Sequence, residues 1–100
     1  MTGDQIVALS KKHTISEWSV QGAVHPLPID RAEGIYLFTP EGKRYIDFNS
    51  ELMSVNIGHG DQRITQAVVA QMEKLAYANP YAATEARGVL GELLAKITPG

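Results

Sequence analysis

The spacing of apolar positions changes along the chain, and each spacing predicts a different element. From Ile64 to Leu75 the apolar residues recur every three or four positions, which is the period of an amphipathic helix. The segment from Thr84 to Ile97 has the same period and predicts a second helix. Residues 34–38 and 44–48 are rich in aromatic and β-branched residues, which favour strands. We therefore expect two strands followed by two helices.

The segment between the two strands predicts a tight turn. In Thr39-Pro40-Glu41-Gly42, proline at the second position and glycine at the fourth fit a type I turn that leads into a bulge. Such a turn reverses the chain, so the two strands are predicted to pair as a β-hairpin.

The N-terminal third has a less regular pattern. Residues 2–12 predict a short helix, with Thr2 and Gln5 placed as the two members of a capping box. Residues 13–33 include His25-Pro26-Leu27-Pro28, and each proline pushes the residue before it into extended backbone. We expect this arm to be mostly extended or irregular.

The stretch from Arg44 to Gly60 combines several patterns. It begins like a strand, passes through polar Asn49-Ser50-Glu51 into a mixed apolar run, and ends at Gly58-His59-Gly60. The run 52–57 is too irregular for a strand and too apolar for an ordinary loop. Loops that hold apolar side chains in irregular backbone often line a pocket or an interface, which we expect here.

These elements indicate an α+β fold. A helix and arm occupy residues 1–33, and a hairpin with two helices occupies residues 34–100. Hydrophobic residues make up 44% of the chain and charged residues 20%, which is typical of a globular protein. A two-stranded hairpin and two helices offer more apolar faces than they can cover, since so short a chain buries only about 60–65% of its unfolded surface. We expect residues 34–100 to be incomplete alone.

Charge and cysteine content exclude several classes of partner. A net charge of −2 gives no basic surface for nucleic acid or for an anionic membrane. Cysteine is absent, which fits a reducing compartment. The first residues lack the cationic start and apolar core of a signal peptide, and no apolar run approaches the length of a bilayer span. We expect a cytoplasmic protein.

The histidines give little sign of a metal site. His13, His25 and His59 are far apart in sequence and form no ligand spacing. Gly58-His59-Gly60 with Asp61 stands before a predicted helix, where backbone N–H groups could bind an anion. We favour a structural interpretation, in which the glycines permit a sharp turn, His59 helps to cap it and Asp61 caps the helix.

Other polar residues also suit structural roles better than catalysis. Asp47 has apolar neighbours, so we expect it to be partly buried and hydrogen-bonded to loop amides. Ser50 and Ser54 lack the context of a nucleophile. The lysines of the two helices and of the hairpin turn have polar neighbours and are interpreted as solvated, not as Schiff-base lysines.

Two residues favour a pocket or an interface. Tyr81 follows Pro80 among small residues that cannot bury it locally. Met53 is flexible, apolar and part of the irregular run. Tyr36 and Tyr45, by contrast, are expected to pack across the hairpin.

Residues 34–50, GIYLFTPEGKRYIDFNS, resemble the N-terminal hairpin of class III aminotransferases. The family pattern there is close to G-x-Y-L-x-D-x-x-G-x-x-Y-x-D. The likeness continues through Val55 to Gly60, through the first helix and its Tyr77-Ala78-Asn79-Pro80 connection, and into LLAKITPG at the end. It extends over residues 15–100, and the order of these segments makes it specific.

The resemblance implies a segment of the small domain of a fold type I enzyme that uses pyridoxal 5′-phosphate and works as a homodimer. Such enzymes, among them ω-amino acid:pyruvate transaminases, transfer an amino group from an amine or ω-amino acid to a keto acid. In the family the phosphate-binding turn, the aspartate at the pyridine nitrogen and the cofactor lysine all follow the region matched here. The resemblance therefore implies no catalytic and no cofactor-binding residue in this chain, and an inactive chain when alone.

The resemblance also implies candidate substrate contacts. The loop matching Leu52-Met53-Ser54 lines the substrate pocket in the family, and the position of Met53 is a tryptophan in some relatives. The loop that includes Tyr81 approaches the active site of the partner subunit. The arm from Trp18 to Leu27 borders the substrate entrance or the dimer surface, so Trp18 completes the candidate set.

Two alternatives remain open at this point. One is another class III activity, of the aminomutase or racemase type. The other is a small interaction domain that has kept the hairpin without catalysis.

Overall fold

The computed structural model describes residues 1–99, which form two units, residues 1–65 and residues 66–99. The first unit contains α1 (Gly3–His13), a short 3-10 helix (Gln21–Ala23) and three strands. The strands are β1 (Arg31–Glu33), β2 (Tyr36–Phe38) and β3 (Arg44–Ile46), followed by a helical turn, α2 (Ser50–Met53).

The three strands form one antiparallel sheet in the order β1-β2-β3. The hairpin prediction is confirmed for β2 and β3, where Leu37 pairs with Tyr45. The prediction for the arm was incomplete, because its last residues form β1, with Ala32 opposite Leu37. Two prolines precede β1, and so short a strand has no readable alternation, so the sequence pattern could not indicate it.

The turn between β2 and β3 has the predicted geometry. The Gly42 amide donates to the carbonyl of Thr39 at 2.9 Å, and the Thr39 amide donates to the carbonyl of Lys43 at 3.0 Å. Gly42 has φ +81°, a conformation that glycine adopts without steric cost. The bulge glycine therefore sets the register of the hairpin.

The sheet has a small core. Leu37, 8% exposed, is its buried apolar residue, and Thr39 is buried beside it. Tyr36 lies opposite Ile46 and Tyr45 lies opposite Leu37, so both tyrosines have a neighbour on the facing strand, as expected. The Arg44 guanidinium also covers Tyr36, at 4.5 Å from the centre of its ring.

The first helix begins as its sequence predicts. The Thr2 hydroxyl accepts from the Gln5 amide at 3.3 Å, and the Gln5 side chain accepts from the Thr2 amide at 2.9 Å, which completes the capping box. The Gly3 amide donates to the Glu41 carboxylate at 2.6 Å and holds the pKa of that group below its usual range. The helix start is thus tied to the hairpin turn.

The two predicted helices are confirmed as α3 (Gln62–Lys74), which begins in the first unit, and α4 (Glu85–Ile97) in the second. Thr84 caps α4 by accepting from the Arg87 amide at 3.4 Å. The apolar residues that predicted these helices remain largely exposed: Ile64, Val68, Met72, Leu75, Val89, Leu90, Leu93, Leu94 and Ile97.

In residues 1–99 no helix is both long and apolar enough to span a bilayer. The same residues contain no group of three or more histidine, aspartate or glutamate side chains placed to hold a metal ion. The described residues form one antiparallel sheet and separate helices, which is the α+β class expected from the sequence.

Candidate functional site

A left-handed turn follows the hairpin. Ser50, Glu51, Leu52 and Met53 have φ of 52°, 46°, 59° and 63°, and these four residues constitute α2. A left-handed helical conformation costs about 1–2 kcal/mol per residue other than glycine, so four in succession must be stabilised by their surroundings. We call Ser50–Met53 the left-handed turn. The irregular loop expected here is therefore an ordered, hydrogen-bonded element.

Side chains at the start of the turn satisfy its free amides. Asp47 Oδ1 accepts from the Glu51 amide at 2.9 Å, and Asn49 Oδ1 accepts from the Leu52 amide at 3.3 Å. The Met53 amide then donates to the carbonyl of Asn49 at 2.8 Å. The turn is thus fixed by the side chains of Asp47 and Asn49 as well as by its own backbone bonds.

Asp47 also pairs with His59. Its Oδ2 lies 2.8 Å from His59 Nε2, and the two side chains are 4% and 15% exposed. The Asp47 pKa lies below its usual range, mainly because the Glu51 amide donates to the carboxylate, with a smaller contribution from His59. The prediction that Asp47 bonds to loop amides is confirmed, and its link to His59 was missed.

The role predicted for His59 was wrong. His59 does not cap the turn, because its ring reaches back to Asp47 and its backbone pairs with Gly34 through bonds of 2.8 and 3.0 Å. The glycines do permit a sharp turn: Gly58 and Gly60 have φ of 90° and 75°. A Cβ at Gly58 would also lie 3.2 Å from the Gly34 carbonyl oxygen. No local pattern in the sequence indicated that Asp47 would pair with His59, because the two residues are 12 positions apart.

Asp61 caps α3 as predicted. Its Oδ1 accepts from the Arg63 amide at 2.9 Å, and its carboxylate also binds the Arg63 side chain at 3.0 and 2.6 Å. This ion pair holds the pKa of Asp61 below its usual range. The acidic cap occupies the junction at which we had considered an anion site.

Three of the predicted substrate contacts lie together. Leu52 and Met53 belong to the left-handed turn and Ser54 follows it, and all three are exposed, Met53 to 70%. Trp18, 90% exposed, is in a separate loop of the same unit. Gln21 closes that loop, since its side chain donates to the Ser16 carbonyl at 2.5 Å and accepts from the Ser16 amide at 2.9 Å.

Tyr81 is presented by an ordered loop of the second unit. Asn79 Oδ1 accepts from the Tyr81 amide at 2.9 Å and from the Ala82 amide at 3.1 Å. Arg87 donates to the carbonyls of Pro80 and Ala82 at 3.3 and 3.2 Å, which attaches the loop to α4. Tyr81 is 98% exposed and borders an open hollow of about 450 Å³. Sequence reasoning singled out Tyr81 as a candidate and missed the role of Arg87 in organising its loop.

The family model for class III aminotransferases, "Aminotransferase class-III", matches residues 18–100. The chain belongs to this family. The resemblance seen in the hairpin and the following segments is thereby confirmed, and with it pyridoxal phosphate as the cofactor of the family.

Two relatives illustrate the range of activities in this class III aminotransferase family. The chain is 45% identical to the mitochondrial ornithine aminotransferase of Arabidopsis thaliana over 62 residues, which are 60% of this chain and 13% of the relative. It is 36% identical to the isoleucine 2-epimerase of Lentilactobacillus buchneri over 75 residues, which are 74% of this chain and 17% of the relative.

Solved transaminase structures contain the same fold over nearly the whole chain. An (S)-enantioselective omega-transaminase from Thermomicrobium roseum matches all of this chain with a TM-score of 0.90 and 30% identity. A taurine:2-oxoglutarate aminotransferase from Bifidobacterium kashiwanohense, in complex with PLP and glutamate, matches 97% of it with a TM-score of 0.89 and 31% identity. The chain spans 24% and 22% of these two proteins, so it corresponds to one segment of a fold type I enzyme.

The lysines of this class III aminotransferase chain do not suit the cofactor. All five are exposed. Lys74 donates to Glu85 at 2.9 Å, which raises the pKa of the amine, and Lys96 donates to Glu92 at 2.6 Å. A Schiff-base lysine needs a desolvated, neutral amine, and an ion pair at the surface opposes that state. The described residues therefore provide no fitting attachment point for pyridoxal phosphate.

Proposed function

We propose that this chain is the N-terminal segment of a pyridoxal-phosphate-dependent aminotransferase that acts on an amine or ω-amino acid and on a keto acid such as pyruvate. The likeness to the T. roseum omega-transaminase over the whole chain is the observation that carries this proposal. The chain's membership of class III agrees with it.

In this proposal the segment selects substrates and leaves the chemistry to residues elsewhere in a longer protein. The cofactor supplies the electron sink of amino transfer, and the protein supplies binding and orientation. Leu52, Met53 and Ser54 form one wall of the donor pocket. Trp18 borders the pocket entrance, and Tyr81 reaches the active site of the partner subunit in a homodimer.

The proposal also covers the cellular location of the full-length protein, its oligomeric state and the activity of residues 1–100 alone. The full-length enzyme is cytoplasmic, and its dimer covers the exposed apolar residues of α3 and α4. The chain of residues 1–100 is inactive alone. Pyridoxal phosphate added to it should give no new absorbance near 410 nm, roughly the region of a protein-bound Schiff base of this cofactor. Such an absorbance would contradict the assignment of the five lysines.

An amino-transfer assay on the full-length protein tests the activity. The protein is incubated with pyridoxal phosphate, 1-phenylethylamine or a short ω-amino acid, and pyruvate. We expect alanine to form in step with loss of the donor, at a turnover near the median of about 10 s⁻¹ for enzymes. Failure to form alanine from any donor in an amine and ω-amino acid series would refute the proposal.

The match to isoleucine 2-epimerase supports a second candidate, a racemase-type activity. An epimerase inverts one stereocentre and needs no amino acceptor. Incubating the full-length protein with one enantiomer of a branched amino acid, without keto acid, separates the candidates. Catalytic formation of the other diastereomer or enantiomer would favour the epimerase, and amino transfer that depends on keto acid favours the aminotransferase.

A further inference from the structure

The left-handed turn holds four of the five non-glycine residues with positive φ among residues 1–99. Such backbone persists only where neighbouring groups determine it, and it is concentrated at functional sites. The turn also carries Leu52 and Met53, both exposed. The question is which groups hold this conformation.

Asp47 and His59 fix the two ends of the segment to adjacent residues of the turn between β1 and β2. The Asp47 amide donates to the Ile35 carbonyl at 2.9 Å. The His59 amide donates to the Gly34 carbonyl at 2.8 Å, and the Gly34 amide donates to the His59 carbonyl at 3.0 Å. The side chains of Asp47 and His59 then meet at 2.8 Å, so backbone and side chains close the same loop.

The Asp47 carboxylate connects this closure to the turn itself. Its Oδ2 is bonded to His59, and its Oδ1 accepts from the Glu51 amide inside the turn at 2.9 Å. Both side chains are largely buried, at 4% and 15% exposed. A carboxylate accepts and does not donate, so His59 carries its proton on Nε2 in this pair.

We propose that Asp47 and His59 are a positioning pair that holds the left-handed turn, and with it Leu52 and Met53, in the shape that selects amine donors by size. This inference rests on the proposed function, because it assigns the turn to a donor pocket. The pair touches neither substrate nor cofactor. It orients the backbone that presents the two apolar side chains.

The first experiment measures donor selectivity in the full-length protein. Asp47→Ala removes both acceptor oxygens and releases the turn. We expect the ratio of kcat/KM for a bulky donor to that for a small donor to rise about tenfold, within the range that one apolar contact controls. The change should lie in KM for the bulky donor, with kcat for the small donor within about threefold of wild type.

A matched control separates positioning from general destabilisation. Asp61 is also a carboxylate that accepts from a nearby amide, and it lies outside the left-handed turn. Asp61→Ala should leave the donor ratio unchanged. Parallel losses for both donors in Asp47→Ala, or the same ratio change in Asp61→Ala, would overturn the proposal.

A conservative substitution tests the imidazole. Glutamine places an amide N–H close to the position of Nε2, so His59→Gln should keep the wild-type donor ratio, whereas His59→Ala should give the ratio of Asp47→Ala. If His59→Gln and His59→Ala behave alike, the hydrogen bond to Asp47 does not position the turn.

Nitrogen NMR of the full-length protein, labelled at its histidine nitrogens, reports the tautomer of His59 independently of activity. We expect the neutral His59 ring to carry its proton on Nε2 in the wild type and on Nδ1 in Asp47→Asn, where the new amide donates to the ring. A wild-type Nδ1–H tautomer would overturn the pairing. If the full-length protein transfers no amino group, the proposed function is refuted, and so is the assignment of the turn to a donor pocket. That conclusion does not depend on which tautomer of His59 is found.

Discussion

The backbone strain of the left-handed turn can be examined at one residue, Glu51. Glu51 has φ 46° and ψ 59°, and its side chain is exposed. Its conformation costs about 1–2 kcal/mol for any residue with a Cβ. Glycine adopts it without this strain, but its backbone loses more conformational entropy on folding, which offsets part of the gain in stability.

We therefore expect Glu51→Gly to stabilise the protein by about 0.5–1 kcal/mol, the strain released less the entropy lost. The measurement is the free energy of unfolding of the full-length protein by chemical denaturation. Val55→Gly, a replacement of a half-buried residue that has no positive φ, should destabilise it and serves as the control. A Glu51→Gly variant less stable than wild type would show that the turn is not strained.

The Asp47 carboxylate should make the turn sensitive to acid. Its pKa is lowered in the folded state, so the carboxylate contributes stability above its ordinary value of about 3.9 and loses it as pH falls through the lower folded value. The chemical shift of the Glu51 amide should follow this titration below about pH 4, because that amide donates to the carboxylate.

In Asp47→Asn the same amide should show no such titration. An unchanged titration of the Glu51 amide in that variant would mean that another acid, such as the nearby Glu51 side chain, controls the turn.

At the scale of single residues, the sequence predicted some contacts of the candidate site and missed others. The apolar neighbours of Asp47 correctly predicted a carboxylate bonded to loop amides. The left-handed backbone could not be predicted, because intrinsic preference opposes it at all four positions and tertiary contacts of Asp47 and Asn49 override that preference. The partner of His59 was missed for the same reason, since the contact joins residues far apart in sequence.

Elements were easier to predict than residues. The capping box at Thr2 and Gln5 and the turn at Gly42 are local signals, and both were confirmed. β1 was missed because it is a short strand at the edge of the sheet, paired with β2. Its pairing depends on the position of the hairpin and not on its own pattern.

The packing of α1 gives a prediction at the element scale. A Cβ at Gly3 would lie 2.8 Å from Pro28 Cγ, closer than real contacts allow. Gly3→Ala should therefore destabilise the protein by about 1–3 kcal/mol, as overpacking does, although alanine favours helix. Gly22, with no neighbouring atom within 4 Å of a Cβ, provides the control.

The thermal midpoint of the full-length protein measures both variants. Gly22→Ala should leave it nearly unchanged, and Gly3→Ala should lower it. Equal midpoints for the two variants would mean that α1 does not pack on the arm at Pro28.

On the scale of the whole molecule, the chain has more apolar surface than its own elements cover. The sequence predicted this from the number of faces, and the exposed residues of α3 and α4 agree. What covers them could not be deduced, because a pattern gives the face of a helix and not its partner. Gly88 and Gly91 in α4 are relevant to what covers this helix. A Cβ at either position meets no atom within 4 Å, so nothing within the described residues requires glycine there.

We expect Gly88→Ala to stabilise α4 in residues 1–100 alone and to destabilise the full-length protein. In residues 1–100 alone it should raise helicity, because alanine is favoured over glycine in a helix by about 0.8–1 kcal/mol. In the full-length protein it should lower the thermal midpoint, because the dimer that we propose packs against α4 and the added Cβ would enter that contact. Circular dichroism and thermal melts measure the two effects, and stabilisation in both contexts would refute a close contact at Gly88.

The central claim is that this segment shapes substrate choice in an aminotransferase. Met53→Ala in the full-length protein tests it most directly, with steady-state kinetics for one small and one bulky amine donor and pyruvate as acceptor. The claim predicts that the ratio of kcat/KM between the donors changes about tenfold or more, the effect of one apolar contact in a pocket. A ratio equal to that of the wild type, in a variant that remains folded and active, would contradict it.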